Sequence, residues 1–189
     1  MNILFDERLD GELVQRDKSE VLSDLQQAVT LLHREEALRP FECDGLAAYR
    51  VLPMLVALPE TLEQVKGLLK RCYALGVPVV TRGAGTGLSG GALPLEQGVL
   101  LVMSRFSKIL SVDPDARMAR VQPGVRNLAI SEAAAPYGLY YAPDPSSQIA
   151  CSIGGNVAEN AGGVHCLKYG LTVHNVMRVD VLTIEGEHM

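Results

Sequence analysis

The sequence predicts a fold that mixes helices with short strands, and three observations carry the expectation. A short apolar run, a capped helical stretch and a second apolar run follow one another with tight joints between residues 54 and 81. Two β-like runs separated by Pro114, Asp115 and Ala116 form a hairpin pattern over residues 109–121. Apolar residues make up 48% of 189, which is enough to bury a core in one domain or slightly more.

Taken in order, SEVLSDLQQAVTLLHR (residues 19–34) sets Val21, Leu22, Leu25, Val29 and Leu32 at helical spacing behind a serine able to cap, predicting an amphipathic helix. Residues 35–50, with Pro40 and Gly45, read as an irregular connection. A boundary near Arg50 divides an N-terminal helical segment (1–50) from a domain over 51–189. MLVAL (54–58) predicts a strand, and TLEQVKGLLKRCYALG (61–76) a capped helix closing on glycine. VPVVT (77–81) predicts a second strand, so the three form a βαβ unit with a parallel sheet and a right-handed crossover. GVLLVM, through Met103, is a third strand, the hairpin follows, and residues 125–135 are a helix. Residues 142–170 read as a long glycine- and serine-rich loop, and Val176, Val179, Val181 and Ile184 predict a final strand. No internal repeat is visible.

Composition excludes several classes. A net charge of −5 lacks the basic footprint of a nucleic-acid binder. The apolar runs are strand-length, far short of the ~20 residues a membrane-spanning helix needs. The opening MNILFDERLDGE carries acids at once and shows no basic-then-apolar leader, which makes a cytoplasmic location the default. Cys43, Cys72, Cys151 and Cys166 are scattered without a CxxC pair and read as unpaired thiols. The four histidines show no metal-binding spacing.

The chemistry concentrates in TRGAGTGLSGGA (81–92), where five of twelve residues are glycine. A P-loop needs GK[ST] to bring a lysine to the phosphates; here Ala92 follows Gly91, so that cradle is excluded. Gly85, Gly87 and Gly90 nearly match GxGxxG, but a dinucleotide fingerprint opens directly into a helix and needs an acid about 20 residues on. Leu93, Pro94 and Gly98 interrupt any helix, and the strand that follows offers no carboxylate. The segment therefore runs strand to loop to strand, with its own backbone N–H groups as anion donors in a nest, supplemented by Thr86, Ser89 and Arg82. APDPSSQIACSIGGNVAENAGG (142–163) adds two prolines, Ser146, Ser147, Ser152 and four glycines. Long loops of this kind are usually functional. The plainer readings are a flexible turn for the first segment and a surface Ω-loop for the second.

RGAGTGLSGGA, QPGV (122–125), PDPSS (143–147), CSIGGNVAENAGG (151–163) and KYG (168–170), in that order, resemble the FAD-linked oxidases of the vanillyl-alcohol oxidase (PCMH) type. Within that family they are most similar to the flavin subunits of bacterial glycolate oxidases. The resemblance implies an α+β FAD-binding PCMH-type domain of two α+β subdomains with FAD between them, truncated at the C-terminus. It implies that Arg82, Gly83, Ala84, Gly85, Thr86, Gly87, Leu88, Ser89 and Gly90 wrap the pyrophosphate. Pro143, Asp144, Ser147, Cys151 and Ser152 would lie along the flavin and phosphates. Gly154, Gly155, Asn156, Asn160, Ala161 and Gly162 would add contacts, with Tyr169 and Gly170 closing the region.

The resemblance further implies oxidation of a 2-hydroxy acid, of glycolate or D-lactate type, to the 2-oxo acid through FAD. The pyrophosphate loop has no histidine, so the FAD is expected to be non-covalent; Cys151 and His165 are the only nearby residues able to form a link. Catalytic base, metal ligands and substrate pocket belong in that family to a later cap domain, so no catalytic residue is assigned. Expected partners are the small hydroxy acid, a sister flavin subunit and an iron–sulfur subunit, with membrane association only through partners. A stand-alone flavin- or nucleotide-binding assembly module without catalysis is the competing reading. His174 reads as a strand-start histidine bonded to backbone and Lys168 as a surface charge.

Overall fold

The computed structural model of the protein describes residues 16–189. The acidic opening stretch, residues 1–12, lies outside the described residues. A four-stranded sheet forms the centre, built of β1 (Leu31–Leu32), β2 (Leu55–Ala57), β3 (Val79–Arg82) and β4 (Val99–Val102) in the order β1-β2-β4-β3. β2, β4 and β3 run parallel, while β1 joins the edge antiparallel. α3 (Leu62–Leu75) connects β2 to β3, which is the expected βαβ unit, and β4 inserts between its two strands.

Side-chain alternation fixes which face each strand residue serves. Leu55, Ala57, Val99 and Leu101 point to one face, where α3 and α1 (Lys18–Leu25) cover them with Val65, Leu68, Leu69, Cys72, Val21 and Leu25. Val56, Leu100 and Val102 point to the other, against Leu38, Phe41 and Leu52. A sheet buried on both faces explains the unbroken apolar runs in its strands. Burial pushes the core thiol of Cys72 up to about 12, an inert cysteine.

α3 shows why its sequence makes a helix. Thr61 Oγ1 accepts from Gln64 N while the Gln64 side chain accepts from the Thr61 amide, a capping box, and Gly76 ends the helix at φ +66°. A second body is formed by β5 (Ile109–Asp113) paired with β6 (Met118–Val121), α4 (Asn127–Ala134) and α5 (Ile153–Glu159), around Val125, Ile130 and Ile153.

Three expectations need correction. The first helix ends at Leu25 and is capped by Asp17, whose carboxylate accepts from Ser19 N; Leu31 and Leu32 serve instead as an edge strand on β2. The stretch 35–50 is irregular except for α2 (Glu35–Leu38) and a single 3₁₀ turn over Arg39–Phe41. The last apolar residues form no ladder strand: residues 181–189 fold back as a narrow turn, with Val181 and Met189 exchanging backbone bonds of 3.0 Å. Among the described residues no element pairs with 176–180, and a strand is stable only with a neighbour to take its backbone groups.

Candidate functional site

The glycine-rich stretch leaves β3 and returns to β4 without a helix, as the sequence predicts. Gly85 and Gly90 stand at φ +71° and +75°, in the left-handed region open mainly to glycine. Among the described residues, no internal hydrogen bond takes a backbone N–H from Ala84 to Gly91. That leaves eight consecutive unspent donors. The Arg82 side chain is buried and its Nη1 donates to Cys43 O over 2.7 Å, with the guanidinium carbon 5.8 Å from the Phe41 ring centre. A Cβ on Gly85 would overlap that guanidinium, so the loop rests directly on Arg82.

The second glycine-rich segment is not the loop expected. Ser152 caps α5, its Oγ accepting from Gly155 N over 3.4 Å, and Asn160 ends the helix at φ +50°. Gly154 and Gly155 hide this helix from a propensity reading, because glycine costs ~1 kcal/mol per helical position; the serine cap is the signal that could have found it. Packing explains both segments' glycines. A Cβ on Gly83 would overlap Ser152 Oγ, and Cβ atoms on Gly87 and Gly91 would stand 3.2 and 3.0 Å from Glu159 Oε1. Gly154 presses on Pro123 of QPGV, its N–H donating to Pro123 O over 2.8 Å. The quoted motifs are thus packed on one another, and a helix start lies beside Gly83, which the sequence did not reveal.

The third group gathers around His165. Its Nδ1 lies 2.6 Å from Asp144 Oδ2, and this bond holds the Asp144 carboxyl below its ordinary value. Gly163 packs on Asp144 so closely that no side chain fits. Tyr169 meets Tyr140 edge-on at 6.1 Å and Lys168 Nζ lies 4.8 Å from its ring centre. Bonding to Tyr140 first, then to Lys168, lowers the Tyr169 phenol, and the same contact raises Lys168. Lys168 is therefore engaged with an aromatic face. His174 bonds to backbone, accepting from Leu171 N at 3.1 Å, in a 3₁₀ turn beneath Gly170. Pro143 O accepts from the buried Asn127 Nδ2 at 3.0 Å, Ser147 O accepts from Cys151 N at 2.8 Å, and Cys151 is buried. Asn160 Oδ1 accepts from Val173 N at 3.0 Å, Ala161 O from Thr172 Oγ1 at 2.7 Å, and Gly162 packs against Leu171.

A cleft of about 420 Å³ opens where the first two groups meet. Gly83, Ala84 and Ser152 line it, joined by Ser104, Ser107, Arg126 and Ala150, which the sequence reading missed because they lie in ordinary strand ends and turns. Leu88 and Ser89 stand exposed, and Asp144, Tyr169 and Gly170 lie outside its lining. Asn156 is buried with Nδ2 unpartnered, a donor awaiting an acceptor. A larger cavity of about 560 Å³ is bordered by Lys18, Glu35, Leu52 and Glu96 and holds none of these residues.

Residues 53–189 match the family model described as FAD binding domain. The chain belongs to the FAD binding domain family. Its cofactor is FAD. It is 66% identical over 190 aligned positions to glycolate oxidase subunit GlcD of Escherichia coli K12, covering 99% of this chain and 38% of that protein. It is 36% identical to D-lactate dehydrogenase of Archaeoglobus fulgidus, covering 87% of this chain and 37% of the relative. The chain thus spans well under half the length of the curated relatives it matches. Physcomitrella patens BBE-like 1, in a D396N variant, superposes with a TM-score of 0.79 at 22% identity, over 89% of this chain and 37% of that one. Alkyldihydroxyacetonephosphate synthase gives 0.75 at 22%, over 92% and 35%. These likenesses establish the mixed α+β, PCMH-type fold.

The residues present fit FAD. Unspent N–H groups on a glycine-rich loop suit a diphosphate, and the orphaned Asn156 amide suits a further acceptor.

Proposed function

We propose that this chain is the FAD-gripping part of a flavoprotein that oxidises a 2-hydroxy acid, of glycolate or D-lactate type, to the 2-oxo acid. The observation that carries the reading is the run of unspent donors from Ala84 to Gly91, laid along α5: Gly83, just before the run, meets the Ser152 cap, and Gly87 and Gly91 lie beside Glu159 at the other end of the helix. In this proposal the loop amides take the diphosphate, and Ser152, Gly154, Gly155 and Asn156 line the adjoining cofactor wall. Asp144, Ser147, Tyr169 and Gly170 shape the far side. The substrate class is supported by relatives named for glycolate, D-lactate and D-2-hydroxyglutarate, which share a hydroxyl beside a carboxylate.

Bound FAD supplies the two-electron redox chemistry, while the protein supplies placement and electrostatics. The hydroxy acid gives up two electrons and two protons; the carboxylate clamp and the base lie, in this proposal, outside residues 16–189. Non-covalent attachment belongs to the same reading. Cys151 is buried and His165 is already paired with Asp144, which supports it. A sister flavin subunit and an iron–sulfur subunit are the proposed partners, a reading supported by relatives that are named as a glycolate oxidase subunit. A cytoplasmic location fits four unpaired cysteines. Among the described residues no helix is long and apolar enough to cross a membrane.

Ala84 tests the reading. It is exposed at the cleft, so Ala84→Asp sets a carboxylate against the diphosphate with little packing cost. The purified variant should keep its circular dichroism and lose its flavin absorbance. Retention of FAD at the wild-type ratio would overturn the proposal.

A further inference from the structure

Residues 41–46 lie outside the family-matched span 53–189 and carry none of the motifs read from the sequence. They nevertheless contact the glycine loop near its start, its middle and its end. Cys43 O holds Arg82 Nη1 at 2.7 Å and Phe41 covers the guanidinium, on which Gly85 rests. Asp44, itself buried, accepts from Leu46 N through Oδ1 at 2.9 Å and from Ala92 N through Oδ2 at 3.4 Å, tying the far end of the loop to the same segment. A Cβ on Gly45 would stand 2.8 Å from Thr86 O and 2.7 Å from Gly87 O, and Leu46 lies under Gly90.

The carbonyl contacts decide the direction of the donors. A trans peptide is planar with its C=O and N–H on opposite sides. When the oxygens of Thr86 and Gly87 turn toward Gly45, the N–H groups of Gly87 and Leu88, which share those planes, turn away from it. We propose that Phe41–Leu46 is a positioning element of the FAD loop: it draws two carbonyls inward over Gly45, with Arg82 as the buried strut, and so aims the paired N–H groups at the diphosphate. Resting on the FAD reading above, this assigns Arg82 a role beneath the loop, with the phosphate contacts left to the backbone. Asp44 and Gly45 become determinants of cofactor affinity through the loop backbone they contact.

Hydrogen exchange of the wild-type protein with and without added FAD gives the primary test. The amides of residues 84–91 and of 43–46 should both gain protection. Protection of 84–91 without any change at 43–46 would overturn the positioning role while leaving the FAD reading intact; no change in either would overturn both. Fluorescence titration with FAD supplies the second test. Gly45→Ala should weaken FAD about ten- to hundredfold, the range for losing a hydrogen bond to a charged group. Asp44→Ala should weaken it similarly, whereas Asp44→Asn, which keeps the acceptor for Leu46 N, should recover part of the loss. Wild-type affinity in folded Gly45→Ala and Asp44→Ala proteins would overturn the proposal. Should either variant fail to fold, the exchange experiment on the unaltered protein still decides.

Discussion

At Asp144 the structure adds a contact that the sequence does not announce. The family resemblance implies a place along the cofactor for this residue, and its carboxylate oxygens are bonded to the His165 ring and amide. Because the His165 bond lowers the folded-state pKa below the ordinary 3.8, the contact contributes stability above that value and loses it as pH falls through the depressed one. A carboxyl NMR titration should therefore find Asp144 protonating below 3.8, and His165→Ala should move the titration back up. An unshifted Asp144 signal in the wild-type protein would refute the pairing. No single-residue reading reaches such a bond, because the two partners are separated by 21 positions and meet only through the turn at Gly163. Arg82 teaches the same lesson: charge and position suggest a phosphate contact, and burial against Cys43 and Phe41 is a tertiary fact.

Among the elements, two of the side-chain-capped helices, α3 and α5, make a matched pair. Thr61 caps α3, which packs on the sheet, and Ser152 caps α5, which packs on the loop. Replacing either by alanine removes one cap bond and should cost about 0.5–2 kcal/mol in chemical denaturation. Only Ser152→Ala should also weaken FAD, since only its side chain touches Gly83; equal FAD affinity in both variants would sever α5 from the site. α3 was legible down to its caps because box, periodicity and terminal glycine agree. α5 was not, because two glycines and a short length mask it, although Ser152 itself was singled out. The hairpin β5–β6 and helix α4 were legible from local pattern; the absence of the expected closing strand was not, because strand pairing is decided by neighbours rather than by the run itself.

Across the whole molecule, the sheet buried on two faces is what the short, unbroken apolar runs announce. Leu68 is fully buried between α3 and the sheet, so Leu68→Ala should cost about 2–5 kcal/mol by denaturation, through lost transfer energy and a residual cavity. A loss well under 1 kcal/mol would mean the helix does not seal that face. The order of motifs along the chain was readable, and their convergence was expected only through the family resemblance, since Gly83 and Ser152 lie far apart in sequence and meet only when the second body folds against the first.

Parallel neighbours ordinarily need a helical crossover between them. Here residues 83–98 alone carry the chain from β3 back to β4, so the connector that closes the seam and the surface proposed for a dinucleotide are the same stretch of backbone. In that proposal ligand capture and strand registration are mechanically one event: a nick or an insertion near Leu88 would loosen the edge of the sheet as well as the grip, and whatever stiffens the grip cinches the edge strand into place.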